Sequence, residues 1–188
     1  MRCALIAVAL FLAIAAGADD YQSAKYKIDL IEDDRAAPGS RIWLSAGELN
    51  AYARTEAPKV VPRGLREPRL ELGNGSATGS ALVDFLKVRE LSGSPPSRLL
   101  AWFLSGERPV HVTAKIASGR RRATVDVQQA TVSGITAQGA VLSFLIANFL
   151  LPYYPEAKIG QPFDLKHGVE WFEISPAGVR VFMAAKRP

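Results

Sequence analysis

Alternation of apolar and polar residues, interrupted by turn residues, is the pattern that most restricts the fold of this chain. Three segments show it: residues 69–88, 110–127 and 169–183. Each contains a turn signal: Gly73-Asn74-Gly75, Ser118-Gly119 and Pro176-Ala177-Gly178. Because successive side chains of a strand point to opposite faces, this pattern predicts three β-hairpins, each with one apolar and one polar face.

The order of the elements indicates the class of fold. Strands and helices do not alternate regularly along the chain, which argues against a doubly wound parallel sheet. Hairpins that follow one another favour antiparallel pairing instead, with the helices segregated from the sheet. We therefore expect a single α+β domain.

Local signals predict the elements before the first hairpin. Residues Lys25–Leu30 alternate apolar and charged side chains, which indicates a half-buried strand, and Ile42–Leu44 forms a second short strand. Ser45 followed by Glu48 is a capping box, so a helix should start at Ser45 and continue to about Arg54. Pro58 should then end that helix.

The first 18 residues have the composition of a secretory signal peptide. Arg2 precedes an apolar run from Ala4 to Ala16, and the small residues Ala16-Gly17-Ala18 stand before an acidic pair. The run is shorter than the roughly 20 apolar residues of a membrane-spanning helix. We therefore expect cleavage after Ala18, leaving residues 19–188 as one soluble domain in the periplasm or outside the cell. That compartment argues against nucleic acid as a partner.

The single cysteine and the charge balance narrow the chemistry further. Cys3 leaves with the leader, so the exported domain has no disulfide and depends on packing alone. The whole chain carries 23 Lys and Arg against 18 Asp and Glu, a net charge of +5. The most concentrated positive charge is Arg120-Arg121-Arg122, which either contacts anionic lipid headgroups or forms a solvated hairpin turn.

Residues 140–151, with the sequence AVLSFLIANFLL, form the most apolar segment after the leader. On a helix, Leu142, Leu145, Ile146 and Phe149 share one face, and other apolar residues cover much of the remainder. A helix that is apolar nearly all round must be covered on nearly all sides. The segment is either a central core helix or a helix that leaves one face open to an apolar ligand. In both cases a curved antiparallel sheet of long hairpins wrapped around it, with short additional helices, is the expected architecture.

The arrangement of these segments resembles a known family. The helix segment SAGELNAYAR, the hairpins, the segment AVLSFLIANFLLPYYPE and the C-terminal IGQPFDLKHGVEWFEISPAGVRVFM are similar to bacterial exported lipid-binding proteins. Those proteins look like one half of a tubular lipid-binding (TULIP-like) module. The resemblance covers most of residues 44–183 and implies that lipid lies between a curved sheet and a long helix. It implies no catalytic residues.

A second apolar cluster lies at residues 99–104, directly after Pro95-Pro96. Trp102 and Phe103 in this cluster suit either a lid over the ligand groove, or a tip that touches the membrane, or a helix that closes the core. We therefore add Trp102 and Phe103 to the candidate ligand-binding residues.

Residue types typical of enzymes are not arranged for catalysis. His111 and His167 are the only histidines and lie far apart in the sequence, and no cysteine remains after export to complete a zinc site. Asp33-Asp34 occupies a polar loop, and no G-x-S-x-G motif or glycine-rich phosphate loop is present. We therefore expect a protein without catalytic activity, metal or cofactor.

Two functions are compatible with this sequence. The first is an exported protein that binds or carries a lipid or another apolar small molecule, with peripheral contact to an anionic membrane surface. The alternative is a structural protein of the cell envelope that has a solid core, no ligand and a protein partner. In the first case, Phe149→Asp should abolish lipid retention.

Overall fold

The computed structural model describes residues 19–60, 64–85, 87, 106–147, 151 and 159–186. Helices and antiparallel sheets form separate parts of this structure, so the α+β class is confirmed. The helices are α1 (19–32), α2 (Ala46–Val60) and α3 (Gly139–Leu145). The strands are β1 (Arg41–Ser45), β2 (Leu65–Gly73), β3 (Ser76–Asp84), β4 (Glu107–Gly119), β5 (Arg122–Val132), β6 (Ile135–Ala137), β7 (Phe163–Asp164), β8 (Val169–Ser175) and β9 (Gly178–Met183).

The first element is a helix, so the strand predicted at Lys25–Leu30 is wrong. Ala24, Ile28 and Ile31 follow one another at helical spacing, which places them on one face of α1. Ala24 is fully buried, and both isoleucines pack against the core cluster that contains Leu44. Lys25 and Asp29 form an ion pair one helical turn apart. Six alternating residues were too short a segment to separate a strand from this helix.

Helix α2 starts where the capping box predicts. The backbone N–H of Glu48 donates to Ser45 Oγ at 3.1 Å, and the backbone N–H of Ser45 donates to Glu48 Oε2 at 2.7 Å. The helix continues through Pro58 to Val60, beyond the predicted end near Arg54. Proline removes one backbone donor, but Tyr21 of α1 donates a hydrogen bond to Glu56 and Lys59 pairs with the same carboxylate. These contacts hold the last turns of the helix.

The smaller sheet has the strand order β1-β9-β8 and contains the C-terminal hairpin that the alternation predicts. Its inner face carries Leu44, Val181 and other apolar residues, which α1 and α2 cover. Leu44, Val169, Val181 and Met183 are buried there and form the larger core cluster among the described residues. This unit is a packed two-layer core of helices on a sheet.

The larger sheet has the strand order β2-β3-β4-β5-β6, with β7 paired to β5. It contains the other two predicted hairpins, whose turns are Asn74-Gly75 and Arg120-Arg121. Both turn arginines have positive φ, 53° and 61°, as in the tight turns that match the twist of paired strands. Strand β2 carries a shift of register between Arg66 and Arg69, which accommodates Pro68.

The turns of the larger sheet join it to the smaller one. The backbone N–H of Gly75 donates to the carbonyl of Ile174 at 3.0 Å. Ser118 Oγ accepts from the backbone N–H of Phe172 at 2.8 Å and donates to its carbonyl at 2.7 Å. The edge strand β8 therefore rests on the hairpin ends of the larger sheet, whose opposite end extends away toward α3.

Candidate ligand-binding surface

The strand register divides the larger sheet into two chemically different faces. Directly paired residues lie on the same face, and Gly79 pairs with both Leu70 and Val112. Extending this register across the sheet gives one face on which β3, β4 and β5 carry a single charged residue, Arg108, opposite Val83 at the end remote from the Arg120-Arg121 turn. We call it the apolar face, and its apolar residues include Leu70, Leu72, Ala77, Gly79, Ala81, Val83, Val110, Val112, Ala114, Ile116, Ala123, Val125, Val127, Ala130 and Val132.

The opposite face is predominantly polar, and its side chains can be solvated. Thr78 and Thr113 are cross-strand partners whose hydroxyl oxygens lie 3.0 Å apart. Thr131 and Thr136 make a similar contact at 3.1 Å. His111, the partner of Thr131, and Lys115, which lies nearer the turn, are exposed on the same face. This surface, the polar face, needs no covering because its side chains can bond to solvent.

The apolar face is only partly covered. Val112, Ala114, Ile116, Val125 and Val127 are all half-buried. The buried residues of this face are Ala123 at the turn end and Ala130, Val132 and Ala137 toward the far end. Most large apolar surfaces of a folded protein are removed from water, so a half-buried face of this extent is a candidate binding surface.

Small side chains make a shallow floor in the middle of the apolar face. Gly79 lies on strand β3, between Ala77 and Ala81 on the same face, and Ala114 lies on the neighbouring strand β4. A Cβ atom placed on Gly79 would meet no atom of the described residues within 4 Å. Because glycine has no side chain to pack, Gly79 leaves open space on this face of the sheet.

The far end of the apolar face leads to a second, smaller core cluster and to α3. Phe85 and Val132 are buried in this cluster, and Val83 and Val110 pack against them. In α3, Leu142 is 8% exposed, whereas Val141 is 60% and Phe144 is 45% exposed. The helix thus buries one side chain toward the protein and presents two large apolar ones outward.

The structure describes the side chains of only some of the predicted ligand-binding residues. Leu142 is buried and Ile146 half-buried, which agrees with a common face on the helix. Leu145 belongs to α3, but its side chain lies outside the described part of the structure, as do the residues Phe149, Trp102 and Phe103. Their convergence on one ligand therefore stays a prediction. The apolar face itself was visible in the sequence only as alternation, and strand pairing was needed to assemble it.

The buried carboxylate of Glu48 has structural partners. Glu48 is buried and accepts hydrogen bonds from Lys27 Nζ and Ser23 Oγ, both at 2.5 Å, in addition to its bond within the capping box. Burial raises the pKa of its carboxyl, but the hydrogen bonds from Lys27, Ser23 and Ser45 outweigh burial and hold the pKa below its ordinary value. This network joins α1 to α2 and lies in the smaller-sheet unit.

The residues that sequence analysis weighed for chemistry lie on the surface. His111 is exposed on the polar face, and His167 lies in a turn with its Nδ1 atom 3.6 Å from Asp34. Over the described residues, no group of three His, Cys, Asp or Glu side chains is placed to hold a metal ion. No helix in that same part of the chain has the length and apolar character needed to cross a bilayer. Comparison of the chain with family models, curated proteins and solved structures gave no match.

Proposed function

We propose that this protein is an exported, non-enzymatic carrier that holds a lipid or another apolar molecule against the apolar face. The observation that carries the proposal is the combination of a half-buried apolar face with open space above Gly79. The segment that begins with α3 supplies the second wall of the site, and the predicted ligand contacts Leu142, Leu145, Ile146 and Phe149 belong to this segment. A sheet wrapped around that helix is part of the proposal.

Burial of hydrocarbon supplies the binding energy in this proposal. Each methylene removed from water contributes about 0.8 kcal/mol, so ten enclosed methylenes contribute about 8 kcal/mol before the costs of ordering the ligand. The valines of β4 and β5 gain in the same way because their exposed surface is covered. No proton transfer or bond cleavage is required, and the ligand leaves unchanged.

The size of the side chains on the apolar face favours a slender ligand. The alanine and glycine residues in the middle of β3 create a shallow depression in the apolar face, and Val112 and Ile116 on β4 border this depression. An acyl chain follows such a depression along its length, whereas a bulky fused ring system would need a wider one. We therefore favour a lipid with at least one extended acyl chain as the cargo.

Native mass spectrometry of the protein isolated from the cell envelope tests this function. We expect a stoichiometric adduct that disappears on solvent extraction and whose mass identifies the lipid. A bare protein mass, unchanged after incubation with lipid vesicles, would overturn the carrier and favour the envelope protein with a protein partner.

Two neighbouring substitutions locate the cargo. Gly79→Phe places a ring in the open space of the apolar face and should reduce the adduct to a small fraction of its wild-type abundance. Ser80→Phe adds the same ring one residue later, on the polar face, and should leave the adduct in place. Circular dichroism establishes that both variants are folded. Equal adduct levels in the two variants would contradict a ligand on the apolar face.

A further inference from the structure

The outer face of the smaller sheet concentrates aromatic rings and arginines. In the register, Arg41 pairs with Phe182, which pairs with Trp171, so these three residues form one row across the sheet. Trp43, Arg180 and Glu173 form the next row on the same face. Leu44 and Val181 belong to the opposite, inner face, which α1 and α2 cover. We call the outer surface the aromatic–arginine face.

The groups on this face are held in defined positions. The rings of Trp171 and Phe182 are stacked, with centroids 3.9 Å apart and planes 3° from parallel. The guanidinium of Arg41 lies 5.5 Å from the centroid of Phe182, and that of Arg180 lies 5.4 Å from Trp43. Trp43 is 37% exposed and both arginines are exposed, so the face meets solvent with its cations and rings together.

The arginine turn of the larger sheet lies beside this face. The backbone N–H of Arg121 donates to the carbonyl of Glu170 at 2.8 Å, and the backbone N–H of Leu165 donates to the carbonyl of Arg121 at 2.7 Å. These bonds fix the turn at the start of β8, next to Trp171. Arg120 and Arg121 are both exposed there, and Arg122 pairs with Asp164.

Positive charge on this surface exceeds negative charge. Arg41, Arg120 and Arg121 have no carboxylate within 4.0 Å among the residues that the structure describes, and Arg180 meets Glu173 only at 3.8 Å. Counting Glu170 and Glu173 against the four arginines leaves a net charge of +2 over the face and the adjacent turn. An anionic surface is the complement of this arrangement.

We propose that the aromatic–arginine face docks the protein onto a membrane of anionic phospholipids. Tryptophan rings favour the headgroup level of a bilayer, and guanidinium groups bind phosphate oxygens in pairs. An array of rings and exposed cations suits a lipid surface, because headgroups rearrange around it without needing a complementary shape. The docking face is separate from the apolar face, so this proposal goes beyond carriage of cargo and does not depend on it.

Vesicle co-sedimentation tests the docking face. The protein should sediment with vesicles of equal parts phosphatidylglycerol and phosphatidylcholine, and should stay in solution with phosphatidylcholine alone. Removing two arginines by the double substitution Arg41→Gln and Arg180→Gln should lower the partition coefficient about 25-fold, since one basic group near an anionic surface contributes about fivefold. Added salt should weaken binding of the wild type.

A charge-matched control separates this face from the net charge of the protein. Arg69→Gln with Lys115→Gln removes two exposed cations from the polar face of the larger sheet. We expect this variant to keep most of the wild-type binding, with both double variants melting at the wild-type temperature. Equal losses in the two variants, or equal binding of the wild type to neutral vesicles, would overturn the proposed face.

Tryptophan quenching by brominated phospholipids supplies a second readout. In a Trp102→Phe background, only Trp43 and Trp171 remain, and both lie on the aromatic–arginine face. Their fluorescence should be quenched by brominated lipid in anionic vesicles. Sedimentation without quenching would show that another surface contacts the membrane and would contradict the proposal. Neither measurement depends on a bound cargo, so failure of docking and failure of lipid carriage give different results.

Discussion

The two sheets of this protein share the same alternating sequence pattern, but their apolar faces are covered to different degrees. On the smaller sheet, helices α1 and α2 cover the apolar face, and Leu44 is 5% exposed. On the larger sheet, Val112 and Ile116 occupy equivalent apolar positions and remain half-buried. Alternation therefore specifies which face of a strand is apolar, but it does not specify what covers that face.

The difference in burial between the two sheets predicts how strongly mutations in each sheet change the stability of the protein. A packed core is destabilised by the loss of even one side chain, because neighbouring groups cannot close the cavity that remains. A half-open face tolerates changes of size, because the altered side chain meets solvent or a ligand. We expect mutations to destabilise the smaller-sheet unit strongly and the apolar face of the larger sheet weakly. The following substitutions test that contrast, from the largest expected effect to the smallest.

Two glycines give the sharpest contrast. A Cβ atom at Gly178 would lie 2.2 Å from the carbonyl oxygen of Leu44, a backbone atom of the paired strand. We expect Gly178→Ala to lower the free energy of unfolding by at least about 3 kcal/mol. Gly79→Ala meets open space and should be neutral or stabilising by about 0.5 kcal/mol. Urea denaturation measures both, and similar losses would remove the distinction between the two sheets.

Truncation of one apolar side chain on each sheet gives the next largest effect on the free energy of unfolding. Leu44→Ala opens a cavity between the smaller sheet and its helices and should cost about 3 kcal/mol. Val112→Ala on the half-buried apolar face should cost less than about 1 kcal/mol in the ligand-free protein. A loss at Val112 as large as that at Leu44 would show that the apolar face is already a filled core.

The network around Glu48 should make stability depend on pH. Glu48→Gln leaves Lys27 without its charged partner and should cost about 2 kcal/mol at neutral pH. The pKa of Glu48 is lowered in the folded protein, so its contribution is present above the ordinary value of 4.5 and is lost as pH falls through the folded pKa. The difference in unfolding free energy between wild type and variant should therefore shrink below pH 4.5.

An exposed carboxylate provides the control for that measurement. Glu173→Gln removes only a 3.8 Å contact to Arg180 between exposed side chains, so it should change the unfolding free energy little at neutral pH. A constant difference between the wild type and Glu48→Gln from neutral to acidic pH would mean that the charge of Glu48 does not stabilise the fold.

The smallest expected effect concerns the edge of the larger sheet. The side chain of Asn50 in α2 pairs with the backbone of Leu70, donating from Nδ2 at 2.7 Å and accepting at Oδ1 at 2.8 Å. It thereby satisfies part of an edge strand. Asn50→Ala should cost about 1 kcal/mol and speed hydrogen exchange of the Leu70 amide. Thr55→Ala, which removes a bond within α2 only, should leave that exchange unchanged.

Several elements followed from local chemistry that the sequence shows directly. The hairpin turns depend on residues that tolerate tight backbone conformations, and the start of α2 depends on reciprocal hydrogen bonds within four residues. The α+β class follows from the order of these elements. Such features were predictable because each is stabilised mainly by groups that are close in the sequence.

The candidate site was predictable only in outline. The sequence identified Leu142 and Ile146 as apolar positions of one helix, and the structure places them in a buried and a half-buried position. It did not identify the apolar face as a continuous surface, because that surface combines residues from strands as far apart as β2 and β5. The open space at Gly79 likewise depends on neighbours that are distant in the sequence.

Alternation, turn residues and the capping box thus determined the three hairpins, the start of α2 and the class of fold. Packing decided that residues 19–32 form a helix, since Ile28 and Ile31 gain burial against the core cluster of the smaller sheet. Tertiary contacts also allow α2 to continue past Pro58, and they leave the apolar face of the larger sheet half-buried. The physical reason is that local hydrogen bonds and turn geometry are encoded by neighbouring residues, whereas burial depends on which distant surfaces meet.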